Sequence, residues 1–265
     1  MSTATLAQQY RVLHQQGFLP IFVEDRFDAM VLAEAAAQAG AKVVELTCRR
    51  ARIREELFQI RKELPELLVM VGSVVDEGPL MDSLKRRRPS MPSIDELIDL
   101  GAHGFVSAMP ISSATLARVS QTHLFIPGVE TPTEMVRVLE SGAHFAKLYN
   151  TIPLGEHLRV ELLTGPALHR LMPLMITAGI SRDKIEAYVK AGAAILGSGW
   201  KFILGDSHDE LEERPDIPKI AKEMRLTLDE MSAARAKHQP MPLDGSLDEY
   251  LQAIPHYHPF EELQL

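Results

Sequence analysis

The chain has one cysteine, Cys48, in 265 residues. No disulfide can form within it, and no zinc site can be built from thiolates. An excess of positive charge is also lacking. The net charge is -8 and the pI about 5.7, which argues against nucleic acid as a main partner. A small anionic substrate is not excluded, because it needs only a local positive site. No apolar run reaches transmembrane length, and residues 1–16 are too polar for a signal peptide. The expectation is a cytoplasmic protein with no membrane partner.

What is present is an ordinary globular composition, with 46% hydrophobic residues and a mean hydropathy of -0.04. After a helical opening segment over residues 5–15, eight short apolar runs alternate with helical segments as far as residue 205. Nearly continuous apolar strands suit a parallel sheet covered by helices. Eight repeats point to an α/β fold of the (β/α)8 type, a TIM barrel. Four Gly-Ala pairs, starting at Gly40, Gly101, Gly142 and Gly192, mark helix stops that feed the next strand. Residues 85–93 read as a basic, proline-broken loop exposed to solvent. Beyond residue 205 the chain turns acidic. It reads as a linker over 206–218, a helix over 217–237 and an extended tail over 239–265. The expected division is a barrel over 1–205 and an extension over 206–265 that packs on the barrel or on a neighbouring subunit. His256 and His258 read as surface histidines, since a metal site needs a third partner.

In such a barrel the functional residues come from the C-terminal ends of strands. The second strand carries Glu45, Thr47 and Arg49 at period two, on one face, with Val44, Leu46 and Cys48 on the other. Charges on an inward face are costly without a partner or a task. The third strand ends in Gly72-Ser73, the fifth in Pro127-Gly128, the seventh in Ala178-Gly179 and the eighth in Gly197-Ser198-Gly199. Small residues after strands seven and eight can form an anion site from backbone N–H groups. The sixth strand has Lys147 inside an apolar run. On that window alone it is either a strand-end lysine snorkelling to solvent or a buried amine whose lowered pKa makes it nucleophilic. Phe145, Lys147 and Tyr149 share a face, which the barrel reading turns inward toward Glu45 and Arg49.

Taken together, Glu45-x-Thr47-x-Arg49, Gly72-Ser73-Val74, Ile126-Pro127-Gly128-Val129-x-Thr131, Lys147, Thr177-Ala178-Gly179-Ile180-Ser181 and Gly197-Ser198-Gly199-Trp200 follow a known order. In it the chain resembles the 2-keto-3-deoxy-6-phosphogluconate (KDPG) and 4-hydroxy-2-oxoglutarate aldolases over about residues 5–205. The resemblance implies a class I aldolase on a (β/α)8 barrel, a homotrimer with no metal and no cofactor, cleaving a substrate to pyruvate and an aldehyde. It implies Lys147 as the Schiff-base nucleophile and Glu45 as the general acid/base. Arg49 and Ser73 would hold the carboxylate of the pyruvate half, Pro127 and Gly128 would shape the wall, and Thr47, Gly179, Ser198 and Gly199 would be further substrate-binding residues. The chain departs from the family pattern after the lysine, at Leu148-Tyr149-Asn150-Thr151, where the choice of aldehyde is expected to lie. Two other readings stay open on sequence. One is a phosphosugar isomerase or epimerase using Glu45 as base; the other is a non-catalytic barrel that binds a sugar acid.

Overall fold

The computed structural model describes residues 5–23, 25–149, 158–165, 170–241 and 244–260. Eight parallel strands form one sheet: β1 Phe18–Phe22, β2 Val43–Thr47, β3 Leu68–Gly72, β4 Gly104–Val106, β5 Leu124–Ile126, β6 Ala146–Tyr149, β7 Leu174–Thr177 and β8 Ile195–Gly199. Their order is β5-β4-β3-β2-β1-β8-β7-β6. The two outer strands of that order meet at a short seam. There Lys147 N–H donates to the Pro127 carbonyl at 2.8 Å, and Val129 N–H donates to the Lys147 carbonyl at 2.9 Å. The sheet is thus a nearly closed (β/α)8 barrel, and the seam that closes it runs through Lys147.

The helices are α1 Leu6–Gln16, α2 Ala29–Gln38, α3 Ile53–Glu63, α4 Pro79–Arg87, α5 Ile94–Asp99, α6 Ser113–Val119, α7 Pro132–Glu140, α8 Leu158–Thr164, α9 Ile185–Lys190, α10 Trp200–Leu204, α11 His208–Glu213, α12 Ile217–His238 and α13 Leu247–Ala253. Local chemistry starts and stops them. Thr131 and Glu134 form a reciprocal capping box at α7. The four glycines of the Gly-Ala repeat all take positive φ, between 89° and 109°. In each repeat the alanine N–H reaches back five residues, as Ala41 does to the Ala36 carbonyl and Ala143 to the Val138 carbonyl. This closure satisfies the last carbonyls of α2, α5, α7 and α9.

Two layers of core follow from period two along the strands. Val44, Leu46, Val69, Val71, Leu148 and Ile176 face outward into the helix layer. Leu19, Val43, Met70, Val106, Leu124, Ile126, Phe145, Met175 and Ile195 fill the barrel interior, together with Tyr10 and Leu13 of α1 and Tyr250 of α13. Helices α1 and α13 therefore plug the N-terminal end, and Tyr10 stacks on Phe145 at 4.6 Å between centroids. Helix α12 lies against α2 and α9, and Ile220, Met224 and Met231 bury there in the outer core.

Three expectations need correction. The acidic stretch read as a linker contains α11. The tail read as extended contains α13, started by a Ser246–Glu249 capping box. His258 is buried and His256 half-buried, because the tail folds back under the barrel rather than over its surface.

Candidate active site

The C-terminal end of the barrel gathers an amine and a carboxylate out of solvent. Glu45, on the inner face of β2, is 1% exposed, and Lys147, on the inner face of β6, is 6% exposed. Burial pushes the Glu45 carboxyl above its ordinary range, with the Lys147 and Arg49 charges opposing it. Burial pulls the Lys147 ammonium below its ordinary range; Glu45 opposes that shift and Arg49 adds to it. Both groups move toward their neutral forms because desolvation outweighs their mutual attraction. Among the described residues Oε2 of Glu45 is buried with no hydrogen-bond partner. A buried acceptor left unmade costs roughly 1–3 kcal/mol, so this oxygen is open to a group that the described residues do not supply.

The carboxylate sits where it does because residue 72 is glycine. A Cβ at Gly72 would lie 1.8 Å from Oε1 of Glu45, so the acid rests on the bare backbone of β3. At the seam, Gly128 plays a similar part. A Cβ there would lie 2.5 Å from the Ala108 carbonyl oxygen, and the Pro127 carbonyl next to it holds the Lys147 N–H. The lysine is thereby anchored at its backbone, and its Nζ lies 5.9 Å from the centre of the Tyr149 ring.

Two adjacent arginines part ways at the end of β2. Arg50 is buried and grips Glu56 with both prongs, at 2.7 and 2.8 Å, while donating to the Phe27 carbonyl at 2.8 Å. Arg49 lies past the strand in an exposed turn, and among the described residues it makes no ion pair. Its charge nevertheless reaches Glu45 and Lys147. The turn is held from outside by Arg88, whose Nη2 donates to the carbonyls of Cys48 at 3.0 Å and Arg49 at 2.9 Å. The basic run was expected to be a solvated loop. Lys85 to Arg87 instead close α4, and Arg88 clamps the segment that carries Arg49. Cys48 itself faces the helix layer, where burial pushes its thiol up to about 12.

The remaining expected residues divide by orientation. Thr47 faces inward, yet its hydroxyl donates to the Phe22 carbonyl at 3.0 Å. Ser73 sits just past β3 with φ 58°, and Gly179 follows Ala178 past β7 with φ 70° and 81° respectively. A non-glycine residue at such angles is strained, and strain of this kind gathers at functional sites. Ser198 faces outward, and its hydroxyl donates to the Ile180 carbonyl at 2.7 Å. It thus supports the turn after β7 rather than facing the barrel lumen. Gly199 ends β8 and caps α10. One further inward hydroxyl lies outside the expected set. Thr177, opposite Tyr149 and Gly197 in register, is 2% exposed, and its hydroxyl has no partner among the described residues. Period two from Met175 would have found it. Of Leu148-Tyr149-Asn150-Thr151, where the choice of aldehyde was expected, Leu148 and Tyr149 are described, and Asn150 and Thr151 lie outside the described residues. Among the described residues no cluster of His, Cys, Asp and Glu is arranged to hold a metal ion, and no helix is long and apolar enough to cross a membrane.

Comparison with known proteins gives this geometry a context. A family profile for KDPG and KHG aldolase matches residues 11–222. The KHG/KDPG aldolase of Escherichia coli is 24% identical over 207 residues, covering 77% of this chain and 89% of that protein. The solved 2-keto-3-deoxy-6-phosphogluconate aldolase of Zymomonas mobilis with 3-phosphoglycerate superposes with a TM-score of 0.65 at 22% identity, covering 84% of this chain and 96% of that one. The KDPG aldolase of Legionella pneumophila, with pyruvate captured at low pH as a covalent carbinolamine intermediate, gives 0.61 at 19% identity, covering 87% and 98%.

Proposed function

The chain belongs to the KDPG and KHG aldolase family as a divergent member, and on that premise we propose that it is a Schiff-base aldolase. It cleaves a 2-keto-3-deoxy sugar acid, phosphorylated or not, or a 4-hydroxy-2-oxo acid, reversibly, to pyruvate and an aldehyde. One observation carries the reading: a buried Lys147 amine, displaced toward its neutral and nucleophilic form, shares the inner face of the barrel with a buried Glu45 oxygen that has no hydrogen-bond partner among the described residues.

The chemistry assigned to these groups balances. Nζ of Lys147 adds to the C2 carbonyl, and the carbinolamine hydroxyl takes a proton from the Glu45 carboxylic acid and leaves as water, giving a protonated imine and the Glu45 carboxylate. Glu45 takes the proton of the C4 hydroxyl as the C3–C4 bond breaks; the aldehyde leaves, and the bonding pair moves into the imine as an enamine. Protonation of the enamine at C3 and addition of water at C2 release pyruvate and restore the amine. Arg49 grips the carboxylate of the pyruvate half, a charge-assisted contact suited to its planar fork. Ser73 and Thr177 offer hydroxyls beside it, and Pro127 and Gly128 form the wall behind the lysine.

The direct test is incubation with pyruvate and borohydride followed by intact mass. Wild type is expected to gain one reduced pyruvyl adduct, and Lys147→Ala none. An unmodified wild type overturns the mechanism. The homotrimer and the cytoplasmic setting implied by the resemblance belong to the same proposal, and sedimentation equilibrium on the full chain checks the first.

A further inference from the structure

At the opposite end of the barrel from Lys147 lies a cavity of about 450 Å³. Its walls come from α1, from the turns that lead into β7 and β8, and from residues after α12. Gln239 fixes the last of these by donating to the carbonyls of Val189 at 2.7 Å and Ala193 at 3.0 Å. His14 joins α1 to α13 through a 2.6 Å contact of Nδ1 with the Tyr250 hydroxyl.

The lining is polar: Arg170 and Lys190 bring positive charge, His14, His238 and His256 bring imidazole rings, and among the described residues Glu161 is its one carboxylate. His238 already has an acid, because Glu186 contacts it at 2.9 Å and Lys237 at 2.5 Å. The others do not. Among the described residues neither Arg170 nor Lys190 makes an ion pair, and Nδ1 of His256 is buried with no hydrogen-bond partner. Behind His14, Arg235 is buried and donates through Nη1 to the His14 and Gln15 carbonyls. Its Nη2 has no partner among the described residues. The charges acting on His14 and His256 come from Arg235, Arg170 and other histidines, and none from a carboxylate. Two exposed cations, Arg170 and Lys190, and the unpartnered ring nitrogen of His256 thus open onto one space large enough for a small molecule.

We propose that this cavity binds a small organic anion, through carboxylate or phosphate groups, at a site separate from the one that holds Lys147. Arg170 and Lys190 supply charge at the mouth, and His256 supplies a buried ring nitrogen inside. The proposal does not depend on the aldolase reading.

Calorimetric titration of the full chain with citrate and with inorganic phosphate tests it. One equivalent of at least one anion is expected to bind with Kd below about 1 mM, and the preferred anion identifies the chemical group. Binding should be unchanged in Lys147→Ala and Arg49→Ala and weakened more than tenfold in Arg170→Ala and in His256→Leu. Because Arg170 and Lys190 are exposed, Arg170→Ala and Lys190→Ala keep the measurement independent of folding; both should retain wild-type turnover of pyruvate adducts. Absence of binding by both anions overturns the site. So does binding that Arg49→Ala abolishes and Arg170→Ala leaves intact, which would place the anion at the other end of the barrel.

Discussion

At the scale of single residues, the site pairs a carboxyl whose pKa burial raises with an amine whose pKa burial lowers. Replacing Glu45 with Gln keeps the shape but removes the proton carrier, so kcat for cleavage is expected to fall by roughly 10²–10⁴-fold, while pyruvate trapping at Lys147 persists. The pH dependence of trapping carries a signed prediction. Glu45 raises the Lys147 pKa and Arg49 lowers it. The trapping profile should therefore move to lower pH in Glu45→Gln and to higher pH in Arg49→Ala. Shifts in the opposite sense would mean that the two charges do not act on this amine. Gly72→Ala tests the close packing of β3 on the acid. The added methyl must displace the Glu45 carboxylate, and a displacement of about 1 Å is enough to cost ~10²-fold in rate. Steady-state kinetics beside a thermal melt would separate this loss from simple unfolding.

At the scale of elements, the barrel is tied together by side chains that reach backbone groups of another segment. Arg88, at the end of α4, holds the Cys48–Arg49 turn by two hydrogen bonds, each worth about 1 kcal/mol net. Arg88→Ala is expected to raise KM for the pyruvate half by about 5–30-fold, the range that one to two kcal/mol spans, with kcat within about threefold; a fall in kcat at constant KM would assign Arg88 a different part. The Gly-Ala-His triplets at 101–103 and 142–144 show the same device. Nδ1 of His103 accepts from the Val69 N–H at 3.0 Å, and Nδ1 of His144 accepts from the Phe125 N–H at 3.2 Å. Each histidine must stay unprotonated on that nitrogen to serve the neighbouring strand.

At the scale of the whole molecule, these neutral histidines make the fold sensitive to acid. Burial lowers His14 and His144 far below 6.5, His144 to about 3, and takes His103 and His256 to about 4. A folded-state pKa below the unfolded value means that the unfolded chain binds more protons as pH falls. The stability from these groups is full above 6.5 and is lost progressively below it. For the fully buried His14 and His144 the loss is about 1.4 kcal/mol per pH unit each. Urea midpoints measured from pH 7.5 to 5.5, above the carboxylate range, should fall steadily. In His144→Asn, whose amide oxygen can still accept from Phe125, the slope should drop by one proton. A flat profile in wild type would show that these rings are hydrated in solution.

Much of the fold was legible in the sequence because its signals are local. Period two separated Glu45 and Lys147 from Leu46 and Leu148, Gly-Ala pairs announced the helix ends, and eight apolar runs counted the strands. Those patterns depend on backbone geometry and hold whatever the rest of the chain does. The capping box at Ser246 was equally local, but four nearby prolines masked it and the tail was read as extended. What the tertiary structure alone decided came from contacts between distant residues. Gly72 simply ends the third strand until Glu45 is laid across it. Arg49 and Arg50 look equivalent until Glu56 and Phe27 claim one of them. The basic run looks solvated until Arg88 finds two carbonyls in the turn after β2. The tail has no named anchor until Tyr250 meets His14, 236 residues earlier. A charge's cost depends on its surroundings in space, so the sequence determined which side chains face the barrel lumen, and only the closed barrel decided which of them are left there without a partner.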